Sequence, residues 1–150
     1  MIIDTHVHLY NPRYEDDLDA VLARAGQAGV RAALVPGADL ASSRAAVALA
    51  ERYAEAPCQL FAAVGIHPTD AEKLTAEALD ELRTLARHPR VVAIGEIGLD
   101  YYWTQVADRG WPCAAPDQQR AAFEAQLALA SDVGLPVIIH ARDAHDDTLA

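Results

Sequence analysis

A chain of 150 residues, 52% hydrophobic and 23% charged, has the composition of one globular domain, and it holds no run apolar enough to span a bilayer. Its net charge of −10 excludes a broad basic face tracking many phosphates along a duplex, although a bound divalent cation can supply the positive charge that a single phosphate needs. Cys58 and Cys113 are too few for a disulfide framework, and the N-terminus enters an apolar stretch without the pattern of a secretory signal, so the expected setting is a reducing cytoplasm.

The first strand is expected over Ile2–Leu9. Inside it, D-T-H-V-H puts Asp4, His6 and His8 on one face and Ile3, Thr5, Val7 and Leu9 on the other. Two imidazoles so spaced can reach one cation together, or each can be satisfied by hydrogen bonds. A helix follows, with Leu18, Val21, Leu22 and Ala25 as its apolar stripe and an end near Gly26 and Gly29. Ala32–Val35 reads as the second strand. Asp39 then caps a second helix with Val47, Ala50 and Ala54 to one side.

Leu60–Ile66 forms the third strand. Ahead of the third helix, T-D-A-E (Thr69 to Glu72) has the spacing of a capping box, with Thr75 as an equal alternative. Leu79, Leu82, Leu85 and Ala86 make the buried face of that helix, and Pro89 follows its end. The fourth strand runs over Val91–Ile97. The stretch from Tyr101 to Pro116 breaks the rhythm as a loop carrying Trp103 and Trp111. These either anchor the loop or stack on a base, and anchoring is the favoured reading. A fourth helix starts near Asp117, packs through Phe123, Leu127 and Ala130, and ends at Gly134. Val137–His140 is the fifth strand, and a further helix begins before Ala150.

Nearly continuous apolar strands about 30 residues apart, alternating with helices, mean an α/β fold with a parallel sheet covered on both faces. A closed (β/α)8 TIM barrel takes about 250 residues. Residues 1–150 therefore read as an incomplete barrel domain holding strands one to five, with strands six to eight absent. Open edges at the first and fifth strands would favour self-association.

Glu96 ends V-V-A-I-G-E and His140 ends P-V-I-I-H, at the strand ends where such folds gather their catalytic groups. A carboxylate and three imidazoles converging there imply a cation, because buried charge is costly unless paired or coordinated.

Four stretches carry a resemblance: D-T-H-V-H-L (Asp4 to Leu9), V-G-I-H-P (Val64 to Pro68), G-E-I-G-L-D-Y-Y (Gly95 to Tyr102) and P-V-I-I-H-A-R-D-A (Pro136 to Ala144). In order and spacing the chain resembles the TatD-type metal-dependent hydrolases, TIM barrels whose characterised members are mostly deoxyribonucleases. The resemblance implies two divalent metal ions in the intact fold. His6 and His8 would bind one, Glu96 would bridge to the second, and His140 would bind that second ion. It implies further that His67 contacts substrate, and that the family's remaining His and Asp ligands belong to strands this chain lacks.

Nitrogen and oxygen donors suit Zn, Mn or Co, and Mg where imidazoles are fewer. The implied reaction is hydrolysis of DNA phosphodiesters by metal-activated water, on DNA ends or short single strands, with Glu96 as the central catalytic group. Asp4 would orient a ligand imidazole or fill the barrel's polar layer. Asp100 would brace the loop after Glu96, and Arg142 would bind a phosphate or pair with Asp143 or Asp146. His88 and His145 are assigned no chemical role. Two alternatives stand beside this reading. One is an amidohydrolase-like C–N or ester hydrolase, disfavoured because Lys73, the only lysine, lies far from any strand end; the other is an inactive or assembling barrel fragment.

Overall fold

A computed structural model describes residues 1–106 and 113–150, so Trp111 lies outside the described residues. Its strands are β1 (Ile2–Asp4), β2 (Val30–Pro36), β3 (Gln59–Val64), β4 (Val91–Asp100) and β5 (Val137–Arg142). The helices are α1 (Leu18–Gln27), α2 (Leu40–Arg52), α3 (Ala76–Leu85), α4 (Tyr101–Gln105), α5 (Pro116–Val133) and α6 (His145–Leu149), with 3-10 turns at Pro12–Tyr14 and Pro68–Lys73. All neighbouring strands pair in parallel, in the order β1-β2-β3-β4-β5, and the sheet curls into an open half-barrel with helices outside. The α/β reading and the partial barrel thus hold.

The core lies between the central strands and the helices. Val35, Leu60, Ala62, Val64, Ile94, Ile97 and Leu99 are fully buried together with Ala46, Ala50 and Leu82 from the helices. At the two edges the same kind of residue is uncovered: Ile2 and Ile3 on β1 and Ile139 on β5 are each about half exposed. Among the described residues no helix is long and apolar enough to cross a membrane.

Local chemistry explains most helix ends. Asp39 caps α2 by accepting the Ser42 amide at 2.8 Å, while the Ser42 hydroxyl accepts the Asp39 amide at 2.9 Å. α3 is capped by Thr75, whose Oγ1 takes the Ala78 amide at 3.2 Å, and Thr69–Glu72 lie instead in the preceding 3-10 turn. The choice between the two threonines follows from Pro68: it opens a turn of its own, and the chain must leave that turn before a second helix can start. α2 ends at Arg52, short of Ala54.

Three expectations are corrected. The first strand stops at Asp4, well before Leu9, because the Asp4 carboxylate accepts the His6 amide at 3.1 Å and so draws it out of the ladder. The loop after the fourth strand opens with a short helix, α4, capped by Asp100 Oδ1 accepting the Trp103 amide at 3.1 Å. On α5, Leu127 is 36% exposed, and the buried face comprises Gln119, Ala122, Phe123, Gln126, Leu129 and Ala130. Phe123 and Ala130 keep their expected place, but Leu127 falls outside the stripe.

Candidate metal centre

The C-terminal ends of β1, β3, β4 and β5 bring their polar residues to one place. Beyond β1 the chain carries His6 and His8 upward, still tied to β2 by the Val7 amide donating to the Leu34 carbonyl at 3.1 Å. Their Nε2 atoms lie 3.2 Å apart, so the two rings converge even though the ladder has ended. Glu96 sits within β4, where the pairing with β5 is irregular between Ile94 and Ile97, and its amide donates across the sheet to the Gly37 carbonyl at 3.0 Å. The Glu96 carboxylate, 12% exposed, has Oε2 at 3.2 Å from His6 Nε2 and Oε1 at 2.9 Å from His140 Nδ1.

Tautomers follow from what each ring nitrogen meets. Beside His8 Nδ1 stand the Pro36 carbonyl at 3.2 Å and the Tyr10 hydroxyl at 2.8 Å. A carbonyl only accepts, which favours hydrogen on Nδ1 and leaves the Nε2 lone pair facing His6. His140 Nε2 is 2.9 Å from Asp100 Oδ2, and Asp100 is only 1% exposed. A carboxylate there fixes hydrogen on Nε2, turns the ring so that Nδ1 meets Glu96, and raises the basicity of that nitrogen.

His67 differs. Its Nδ1 accepts from the Thr69 amide at 3.3 Å, and the Thr69 hydroxyl is 2.8 Å away. The neutral ring therefore carries hydrogen on Nε2, and it lies edge-on to the His140 ring at 4.3 Å.

Among the described residues two groups of three donors result, His6–His8–Glu96 and His67–Glu96–His140, each with ligand atoms within 4.8 Å of one another. Glu96 is common to both. Imidazole nitrogens and a carboxylate match borderline divalent ions, and His6 Nε2 stands 3.2 Å from both the His8 Nε2 lone pair and Glu96 Oε2, one proton between two acceptors. The donor set fits a metal.

The electrostatics agree. Burial works against an ionised Glu96, but the His140 hydrogen bond and the neighbouring imidazoles outweigh it and hold the carboxyl below its usual range. The Glu96 hydrogen bond, against burial, lifts His140 above the ordinary histidine value, with Asp100 adding to the effect. Burial and then the charge on His140 push His67 down to about 4.

These shifts have opposite signs in stability. The His140 contribution is fully present below about pH 6.5 and is lost as pH rises through its raised value. For His67 the unfolded chain binds the proton first, so stability falls as pH drops from about 6.5 to about 4. His67→Gln is expected to flatten that acid limb by roughly 1–2 kcal/mol between pH 7.5 and 5 in chelator-treated protein. Urea unfolding at the two pH values measures it, and an unchanged difference between the two would contradict the assignment.

The remaining expected residues separate. Asp4 is exposed and serves the His6 backbone amide, leaving both imidazoles to other partners. Asp100 does more than brace a loop, since one oxygen holds His140 and the other caps α4. The Arg142 guanidinium lies over the Tyr102 ring at 3.8 Å and near the Trp103 ring at 5.5 Å, a cation–π arrangement in place of a pair with Asp143 or Asp146. Lys73 is tied to Asp70 at 2.5 Å in the 3-10 turn, away from the donor cluster. Gln119 and Gln126, fully buried beneath the site, are contributors that the sequence reading missed. Their signal was present: Gln119 opens and Gln126 interrupts the stripe of Ala122, Phe123, Leu129 and Ala130, where a polar side chain must find buried partners.

A family model described as TatD related DNase matches residues 3–150. The chain is 43% identical over 149 residues to a 3'-5' ssDNA/RNA exonuclease TatD of Enterobacter lignolyticus, covering 99% of this chain and 53% of that protein. It is 40% identical to an uncharacterized metal-dependent hydrolase, YabD, of Bacillus subtilis, covering 99% of this chain and 54% of that one. Its fold superposes on the crystal structure of YJJV, a TatD homolog from Escherichia coli K12, with a TM-score of 0.82 and 37% identity over 98% of this chain and 53% of that one. The chain spans about half the length of the relatives it matches. Motifs, half-barrel and donor cluster lead to the same conclusion as these likenesses: the chain belongs to the TatD-related DNase family.

Proposed function

We propose that the chain supplies one wall of a two-cation hydrolytic centre that cuts phosphodiester bonds in single-stranded nucleic acid. The observation that carries this reading is the position of Glu96, one oxygen 3.2 Å from His6 Nε2 and the other 2.9 Å from His140 Nδ1. A carboxylate so placed can join two cations and fix their separation. His6, His8 and Glu96 would hold the first ion, and Glu96 and His140 the second. Bound divalent metal supplies hydroxide at neutral pH and a counter-charge for the phosphate. Several relatives are named as 3'-5' ssDNA/RNA exonucleases, which supports the substrate class.

Each neighbouring residue has a task in this reading. Asp100 keeps the proton on His140 Nε2, so that Nδ1 is the nitrogen turned to the centre. His67, neutral at physiological pH and carrying hydrogen on Nε2, is a donor for a phosphate oxygen. Arg142, held against Tyr102, offers a fixed positive charge beside β5 for a flanking phosphate. The acidic net charge suits a short single strand, engaged at few phosphates, better than a duplex.

The uncovered isoleucines at β1 and β5 mark edges that need a neighbour, and self-association of the isolated chain through them is part of the same proposal. The test of the nuclease reading is release of mononucleotides from an end-labelled single-stranded oligodeoxynucleotide. Cleavage is expected with Mn²⁺ and should vanish in chelator. Cleavage that persists in chelator, or hydrolysis of cyclic amides with none of the oligonucleotide, would overturn it.

A further inference from the structure

Two glutamines on α5, outside the donor cluster, are built into the centre from behind. Gln119 and Gln126 are 0% and 1% exposed, and their spacing of two helical turns puts them on one face of the helix. Gln126 Oε1 accepts the Ile66 amide at 2.7 Å, and its Nε2 donates to the Ile66 carbonyl at 3.1 Å. Gln119 does the same at Asp100, accepting the amide at 2.7 Å and donating to the carbonyl at 3.0 Å. Each side-chain amide thus grips both polar groups of one backbone residue, as a neighbouring strand would.

The gripped residues are telling. Ile66 lies just past the end of β3 and is followed immediately by His67. Asp100 closes β4 and holds His140 Nε2 at 2.9 Å. A buried glutamine costs free energy unless its amide is satisfied, and an apolar residue at either position would leave a buried backbone amide unpaired. Further bonds tie Gln126 Nε2 to the Ala122 carbonyl at 3.2 Å and Gln119 Nε2 to the Ala114 carbonyl at 2.9 Å, which locks both rotamers.

We infer that Gln119 and Gln126 are positioning residues that hold His140, through Asp100, and His67 in register with Glu96. The inference rests on the metal-centre reading above. α5 is then a ruler: one helix sets the separation of two strand ends whose side chains must meet at one centre. A role confined to stability would require only that the helix be anchored. The positioning role requires that losing each clamp be felt at the residue it serves.

The experiment compares Gln119→Met and Gln126→Met with Leu129→Ala, a core change on the same helix. Folding is checked by circular dichroism at 15 °C, Mn²⁺ binding by calorimetry, and thymidine monophosphate binding on the Mn²⁺-loaded protein. Gln119→Met is expected to weaken the second Mn²⁺ equivalent by about 10–100-fold. Gln126→Met is expected to leave Mn²⁺ affinity within about twofold and weaken the nucleotide by about tenfold, as befits a residue acting through a phosphate donor. Leu129→Ala should lower the melting temperature and change neither affinity.

If Gln119→Met fails to fold, Gln119→Glu keeps the acceptor for the Asp100 amide and should show a smaller loss in the same Mn²⁺ equivalent. Wild-type affinities in both glutamine variants, or equal losses in Leu129→Ala, overturn the inference while leaving the centre standing. A wild-type protein that binds neither Mn²⁺ nor the nucleotide overturns the metal-centre reading and this inference with it.

Discussion

On the proposed two-cation reading, Glu96→Ala is expected to empty both positions at once and to lower hydrolysis by on the order of a thousandfold. The carboxylate is the one group shared by the two donor sets, so its loss leaves His6 and His8 as a pair and His140 beside a His67 whose Nε2 already carries hydrogen. Two imidazoles without an anion hold a divalent ion poorly, and a single imidazole scarcely at all. The variant should also remove the 2.9 Å hydrogen bond from Oε1 to His140, the largest cause that lifts His140 above the ordinary histidine value.

Glu96→Asp sharpens the expectation. A side chain one methylene shorter cannot span the distance from His6 to His140, so it should keep at most one ion. Calorimetric titration with Mn²⁺ reads the two variants directly: two equivalents for the wild type, one for the aspartate, none for the alanine. Two equivalents retained in Glu96→Ala would remove Glu96 from the centre, whatever happened to activity.

Much of the molecule was readable because buried parallel strands declare themselves. Val91 to Leu99 and Gln59 to Val64 are apolar along nearly their whole length, as a strand covered on both faces requires. The cap at Asp39 was readable, and Thr75 stood as one of two candidates, because the chemistry is local to three or four residues. His6, His8, Glu96 and His140 stand out together in the sequence because each lies in, or just after, the C-terminal half of an apolar strand.

What escaped was decided by contacts distant in sequence or by backbone amides. No pattern announces that Asp4 will capture the His6 amide and end β1 early. A stripe on α5 through Leu127 assumes that apolar residues face inward, yet Leu127 is 36% exposed. In fact the helix turns Gln119 and Gln126 to the core, because the ends of β3 and β4 carry amides that only a polar side chain can satisfy. The tautomer of His67 was hidden for a similar reason: it depends on the Thr69 amide, a contact formed where Pro68 starts a 3-10 turn.

Gly98→Ala is expected to be the most damaging small substitution in the sheet, costing about 4 kcal/mol and taking the centre with it. Gly98 adopts φ +138, where a side chain is strained, and it pairs in register with His140. A Cβ built there would stand 2.1 Å from the His140 carbonyl oxygen, with the carbonyl carbon at 3.0 Å. Backbone cannot give way as a flexible side chain does, so β4 and β5 must separate at the point that sets the distance from Glu96 to His140.

Gly29→Ala provides the control. Gly29 also has a positive φ, +91, but its added Cβ would meet nothing within 4 Å, so only the backbone strain of about 1–2 kcal/mol remains. Denaturant unfolding should rank Gly98→Ala well below Gly29→Ala, and Mn²⁺ titration should find binding intact in the second and lost in the first. Equal midpoints would mean that strain alone matters at Gly98. A Gly98→Ala protein that still binds two Mn²⁺ would mean that the close approach of β4 to His140 is not what builds the centre. Domain stabilities of about 5–15 kcal/mol leave room for either variant to fold. The separation of the two midpoints therefore measures how far this half-barrel depends on a missing side chain to bring two strand ends together.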